Sequence, residues 1–365
     1  MVDNNKKIKE LQDELKKTKY NKATQGHIGI VKAKIAQLKE KQEARISKKT
    51  GKSEHGYTVR KSGDGTVLLL GFPSAGKSTL LNALTGADSE VAAYEFTTLS
   101  VVPGMMEYKQ AKIQILDVPG IVSGAASGKG RGKEVLTVIQ NADLVLIVID
   151  VNHPEHYPAI LREVWESRIR LNKKKPQVWI KKKAQGGIQI GKTVELNVDD
   201  ETIKKVLREF KLVNAEVLIR SPIDIDDFID CIESNKKYVP SLTCITKVDL
   251  ANAAQVIKVK KELNADLVVS AEDGLNIDLL REIIFQKLDF IRIYMKEPRK
   301  EADMKEPMII YRGATIRDVC SKTHKDFVKK FKFARVWGKS AKHPAQKVSL
   351  RHKLLDEDIL ELHLD

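Results

Sequence analysis

Long apolar runs are missing from this 365-residue chain. The longest, residues 144–151, has the size of a buried strand, well short of the roughly 20 residues a membrane-spanning helix needs. The first residues are polar and lysine-rich, without the apolar centre of a secretory leader, so no membrane partner is expected. Cysteine is scarce: Cys231, Cys244 and Cys320 stand far apart and form no CxxC pair. That spacing argues against structural zinc and predicts a reducing, cytoplasmic setting. Acidic charge is in deficit, with 49 Asp and Glu against 64 Lys and Arg, a formal net charge of +15. Such an excess predicts a polyanionic partner, nucleic acid first, although a general Lys/Glu-rich surface is the plainer reading. The histidines are scattered along the chain, and His343 and His352 read as surface or RNA-facing groups rather than metal ligands.

What the chain does have is organised around residues 71–79, Gly-Phe-Pro-Ser-Ala-Gly-Lys-Ser-Thr. They fit G-x-x-x-x-G-K-[ST], the phosphate-binding loop. The apolar run 66–70 before it predicts a buried strand, and residues 80–84, closed by Gly86, predict a helix after it. Each residue type has a task. Gly71 and Gly76 let the backbone curl so that amides, including those of Phe72, Pro73's neighbours Ser74 and Ala75, and Thr79, can turn toward phosphate oxygens. The helix start adds its positive end. Lys77 reaches the outer phosphates, and the Ser78 hydroxyl can bind Mg²⁺.

Further short apolar runs at 113–116, 144–149, 242–245 and 267–269 each end in a turn of functional type. That pattern predicts an α/β fold with a parallel-rich sheet and ligands gathered at the strands' C-terminal ends. The run 113–116 leads into Asp117-Val118-Pro119-Gly120. Asp117 is placed as a carboxylate for Mg²⁺ and Gly120 as an amide for the γ-phosphate. The glycine-rich segment 123–132 would order with a triphosphate and relax afterwards. Within residues 94–99, Thr98 is the expected metal and γ-phosphate ligand, with Thr97 as the alternative. Thr246-Lys247-Val248-Asp249 reads as a guanine-recognition motif: Asp249 matches the guanine N1–H and amine, where adenine would leave the carboxylate badly paired. The Lys247 stem can lie over the base. Thr246 replaces the usual Asn with a shorter arm, which alters the strength of the base contact and not its identity. Ser270, Ala271 and Glu272 form the turn expected near the guanine carbonyl.

Around this core, residues 1–62 carry 17 Lys and Arg against 7 Asp and Glu, about +10 of the chain's excess. Apolar residues at helical spacing (Ile8, Leu11, Leu15, then Ile28, Val31, Ile35, Leu38) predict a helical hairpin broken near Gly26-His27-Ile28-Gly29. It is either an RNA-docking arm or a solvated pair packed on the main domain. Nearly 100 residues separate Asp150 from Thr246, where one crossover needs on the order of 30. The surplus, 169–236, predicts an inserted α+β domain whose lysine runs 173–175 and 181–183 are an RNA contact or a solvated edge. The nucleotide domain is then 63–168 and 237–294, closed by an amphipathic helix over 276–294. Residues 295–365 predict a linker and a β-grasp module.

Together these motifs resemble the Obg-related GTPases, and most of all the developmentally regulated GTP-binding protein family. Residues 181–187, Lys-Lys-Lys-Ala-Gln-Gly-Gly, and 336–344, Val-Trp-Gly-Lys-Ser-Ala-Lys-His-Pro, strengthen the likeness, which covers essentially the whole chain. The resemblance implies a GTP-binding and GTP-hydrolysing switch, Mg²⁺ as cofactor, Lys77, Thr98 and Gly120 as the catalytic groups, and a C-terminal TGS domain. It also implies ribosomes with rRNA or tRNA as partners, a stabilising partner protein, and potassium as a second cation. Two positions depart from the pattern: Ser74 stands where potassium-dependent GTPases carry Asn, and Ile121 stands where Ras-like enzymes carry a water-orienting Gln. Slow intrinsic turnover is therefore expected, with Arg131 available as a charge in cis, although a solvent- or RNA-facing role suits it better. The competing reading is an RNA- or ribosome-binding module with a structural nucleotide site; an ATPase is a third, against which Asp249 speaks.

Overall fold

Strand Gly65–Leu70 is buried along its whole length, which explains its unbroken apolar sequence: helices cover both faces, so no side chain alternates toward water. In the computed structural model it lies between Ala111–Asp117 and Leu144–Asp150, parallel to both. The structure describes residues 2–49, 63–86, 102–117 and 142–365. Two compact units divide the chain: residues 1–56 with 173–238, and residues 57–172 with 239–365.

The larger unit contains the six-stranded sheet, ordered 267–268, 241–246, 144–150, 65–70, 111–117, 102–108. Five of these strands run parallel, so the strand ends Leu70, Asp117, Asp150, Thr246 and Val268 lie along one edge. The sixth, Val102–Tyr108, is antiparallel to Ala111–Asp117 and is absent from the sequence reading. Pro103 and Gly104 disguise it; proline is tolerated on an edge strand. A Cβ on Gly104 would meet the Thr85 methyl at 2.6 Å, so the glycine lets the Lys77–Thr85 helix pack closely. Lys109 and Gln110, both left-handed with φ of 48° and 66°, make the two-residue hairpin turn. Helices Lys77–Thr85 and Ile277–Leu288 pack on one face and His156–Glu166 with Ala253–Leu263 on the other.

The helix expected over residues 276–294 stops at Leu288. Asp289 turns left-handed (φ 52°), and Phe290–Met295 becomes a strand instead. Its apolar positions suit either period, and the short Phe-Ile-Arg-Ile-Tyr-Met run could not be told from helix by periodicity alone. This strand belongs to a five-stranded sheet ordered 308–311, 290–295, 358–364, 331–337, 346–348. It runs parallel to Asp358–Leu364. Helix Ile316–Thr323, started by a capping box between Thr315 and Asp318, supplies Ile316, Val319 and Cys320 to that sheet's core. The result is a β-grasp module. Phe290 and Ile309 nevertheless bury in the nucleotide domain's core. A Cβ on Gly65 would come within 2.6 Å of the Phe290 ring.

The smaller unit joins the N-terminal hairpin to the insert. Strands Val178–Lys182 and Ile188–Lys192 flank Ala215–Ile219, the first antiparallel and the second parallel. Helices Asp200–Glu209 and Ile225–Glu233 back them. The hairpin helices span Val2–Lys17 and Gln25–Lys49. The expected break at Gly26 and Gly29 is a correction: both lie inside the second helix. Their lack of side chains serves packing, since a Cβ on Gly29 would meet Val206 at 3.0 Å and Thr202 at 3.2 Å. The pair is a layer of this unit. Ala33 joins its core, the Gln25 amide donates to the Asn197 carbonyl at 2.7 Å, and Lys32 pairs with Asp226 at 2.6 Å. Lys173 and Lys183 are likewise engaged, with Asp227 and Glu216 at 2.8 and 2.9 Å.

Candidate functional site

The loop after Leu70 wraps as the glycines require. A Cβ on Gly71 would strike the Val148 carbonyl oxygen at 2.5 Å, and Gly76 is left-handed at φ 81°. Ser74 also takes a positive φ, 62°; Phe72 is half-buried, and Pro73 and Ser74 are exposed. Gly76 caps the Lys77–Thr85 helix without a side-chain bond, so the first-turn amides of Lys77, Ser78 and Thr79 face the loop's interior for a phosphate to accept from. Lys77 is buried, and its ammonium donates to the Phe72 carbonyl at 2.9 Å. Burial lowers its pKa, partly opposed by the charge of Asp117.

The Ser78 hydroxyl donates to Asp117 Oδ2 at 3.0 Å. Asp117 Oδ1 is buried and has no hydrogen-bond partner among the described residues. An orphaned carboxylate oxygen beside a hydroxyl is an unusual arrangement, costing about 1–3 kcal/mol where nothing pairs with it. The donors are oxygens only, the set a hard divalent cation takes.

At the other end of the pocket, Thr246 is buried. Its hydroxyl lies 2.8 Å from the Ala75 carbonyl and 3.1 Å from that of Ile149, and its single proton serves one at a time. The sequence reading had given it a weakened base contact; the structure gives it a brace between the phosphate loop and the recognition loop. Lys247 is left-handed (φ 58°) and pairs with Asp150 at 2.9 Å, while a Cβ on Gly76 would lie 3.8 Å from its Cε. Its stem therefore runs along the phosphate loop. Burial would raise the Asp150 pKa, but the Asn152 amide and Lys247 outweigh it and hold the carboxyl below its ordinary value. Asp249 lies on the short helix Val248–Leu250, exposed.

Ser270 is fully buried. Its hydroxyl bonds Asp273 Oδ2 at 3.1 Å, and Asn276 donates to the Val268 carbonyl at 2.9 Å; both hold the turn that presents Ala271 and exposed Glu272. Thr97, Thr98, Gly120, Ile121 and Arg131 lie outside the described residues. Two contributors escaped the sequence reading. Asp150, at a strand end, was the available signal for the Lys247 pair. Arg281, which donates to the Ala83 carbonyl at 2.8 Å and the Leu84 carbonyl at 3.3 Å and so ties down the end of the Lys77–Thr85 helix, carries no signal in the sequence.

This geometry agrees with known families. Residues 66–183 match the family described as 50S ribosome-binding GTPase, 185–290 the C-terminal region of that domain, and 291–364 the TGS domain. Developmentally-regulated G-protein 2 of Arabidopsis thaliana is 41% identical over 361 residues, which cover 98% of this chain and 90% of that protein. This chain belongs to the developmentally regulated GTP-binding protein family. The developmentally-regulated GTP-binding protein 2 homolog of Dictyostelium discoideum is 40% identical over 358 residues, 98% of either chain. An uncharacterized GTP-binding protein of Methanocaldococcus jannaschii is 51% identical over 360 residues, covering 97% of this chain and 91% of that one. As a member of this family the protein is a GTP-binding protein of the GTPase class with a C-terminal TGS domain. No helix among the described residues is long and apolar enough to cross a membrane.

Proposed function

We propose that the protein hydrolyses GTP with Mg²⁺ and acts as a switch whose state is read on ribosomes or their RNA. The observation that carries this reading is the pairing of Ser78 with Asp117, whose second oxygen is orphaned at the mouth of a phosphate loop. Ser78 and Asp117, with Thr98, would hold Mg²⁺, which when bound neutralises phosphate charge. Lys77 exchanges the Phe72 carbonyl for a phosphate oxygen. The backbone amides of residues 71–79 other than Pro73, which has no N–H, bind the phosphates, Gly120 offers its amide to the γ-phosphate, and Asp249 accepts from guanine. Ile121, following Gly120, has no group to orient water, so intrinsic turnover is slow and an activator completes the site. Potassium, a stabilising partner protein and rRNA or tRNA contacts belong to the same reading. The three unpaired cysteines suit a reducing, cytoplasmic compartment.

The test is steady-state GTP hydrolysis in potassium buffer, with and without purified ribosomes, and with Mg²⁺ withdrawn. A low basal rate, raised many-fold by ribosomes and lost without Mg²⁺, is the expected result. Ribosome binding that ignores nucleotide state, with no stimulation, would replace the switch with an RNA-binding module around a structural nucleotide.

A further inference from the structure

Behind the phosphate loop, on the turn after strand Leu144–Asp150, three metal-binding groups converge that the nucleotide site does not use. His153, Glu155 and His156 each offer one donor atom, and the three atoms lie within 4.8 Å of one another. His153 Nδ1 is 3.0 Å from Glu155 Oε1. A tetrahedral ion with bonds of about 2.0–2.1 Å has ligand–ligand edges of roughly 3.3 Å, so this pair is already near its final separation. The histidines look scattered in the sequence taken as a whole, yet these two sit three residues apart, His153 in the turn and His156 at the start of the helix His156–Glu166.

The turn that carries them is well held. The His153 amide donates to the Asp150 carbonyl at 2.9 Å, and those of His156 and Tyr157 donate to the His153 and Pro154 carbonyls at 3.2 and 3.1 Å. Pro154 fixes the backbone between the first two ligands. The His156 ring stacks on Phe72, with centroids 3.9 Å apart and planes 18° off parallel. A neighbouring side chain thus sets its orientation before any ion arrives. The His153 and His156 rings are themselves near-parallel, 5.2 Å apart.

We propose that His153, Glu155 and His156 form a three-ligand site for a divalent transition-metal ion of the zinc class, separate from the oxygen-only pair at Ser78 and Asp117. Two imidazoles and a carboxylate are borderline donors, which favour Zn²⁺, Co²⁺ or Ni²⁺ over Mg²⁺. Three protein ligands leave a fourth position for water. Coordination replaces the His153–Glu155 hydrogen bond with two bonds to the ion. It also fixes the ring on which Phe72 stacks, and the Phe72 carbonyl is the acceptor for Lys77. An ion here would therefore stiffen the phosphate loop from outside.

The test is calorimetric titration of Zn²⁺ into the full-length protein, stripped of nucleotide and metal, in buffer containing millimolar Mg²⁺. One equivalent should bind despite the Mg²⁺. His153→Ala and His156→Ala should weaken that binding by more than the roughly 10–100-fold that losing a ligand's supporting hydrogen bond costs. Glu155→Gln should weaken it less, and His343→Ala should leave it unchanged. Asp117→Asn should also retain it, which separates failure of this site from failure of the Mg²⁺ assignment. Melting temperatures of the variants check that they remain folded. Absence of a one-equivalent event, or Zn²⁺ binding that the His153→Ala/His156→Ala double variant keeps, would overturn the site.

Discussion

The two ends of the nucleotide pocket are built on opposite plans. At the phosphate end Lys77 and Asp117 are buried, and the functional groups are bonded to their own neighbourhood: Lys77 to Phe72, Ser78 to Asp117. At the base end the recognising carboxylate, Asp249, is exposed, and the residues around it hold the frame, Thr246 to Ala75 and Lys247 to Asp150. Phosphate binding is thus an exchange of partners, whereas base binding adds a contact to a frame already braced. The phosphate end should govern affinity, and the base end should govern which nucleotide is chosen.

The severest way to break this comparison is Lys77→Ala. GTP affinity should fall by roughly 2–5 kcal/mol, the cost of removing one member of a desolvated charge pair, as read by equilibrium titration. Tight binding by that variant would sink the phosphate-loop assignment. Asp249→Asn should instead exchange specificity, weakening GTP on the order of 100-fold while xanthosine triphosphate gains, because an amide can donate to the xanthine oxygen where a carboxylate repels it. Unchanged selectivity in a competition assay would remove Asp249 from the base site. Thr246→Val sharpens the comparison further. It keeps shape but deletes the hydroxyl, and should lower unfolding free energy by about 1–2 kcal/mol without altering the choice between the two nucleotides. A change in that choice would mean Thr246 touches the base after all.

Asp150→Asn should have the smallest effect, under ~1 kcal/mol, since Lys247 is partly solvated. Its pH dependence is the informative part. The folded Asp150 pKa lies below the ordinary carboxylate value. The pair therefore stabilises the fold fully above about pH 4, and that contribution fades as pH falls through the folded value. The gap in melting temperature between wild type and Asp150→Asn should accordingly close on acidification from pH 6 to below 4. A constant gap would mean the pair contributes nothing through its charge.

Most of the nucleotide domain was legible because its signals are local. A phosphate loop must follow its strand directly, so residues 66–79 state their structure without help from elsewhere. The strand ends at Asp117 and Thr246 carry the same kind of signal. What escaped was decided by distant partners. Gly26 and Gly29 look like helix breakers until Val206 and Thr202 are seen against them. Val102–Tyr108 reads as a loop until it pairs along an edge. Thr246 reads as a poor asparagine because its acceptor, the Ala75 carbonyl, is 171 residues away. The chain likewise gave no warning that Phe290 would leave the helix pattern, since the six residues it heads satisfy either period.

That last residue has a consequence for inheritance. Phe290 and Ile309 belong by strand pairing to the C-terminal β-grasp module and by packing to the nucleotide domain. A gene ending at Asp289 would encode a GTPase with two holes in its own interior, and a gene beginning at Phe290 would encode a fold with two apolar side chains left facing water. Recombination at this junction, the natural place to shuffle domains, would therefore damage both parts. The two are expected to travel through evolution as a single unit of selection.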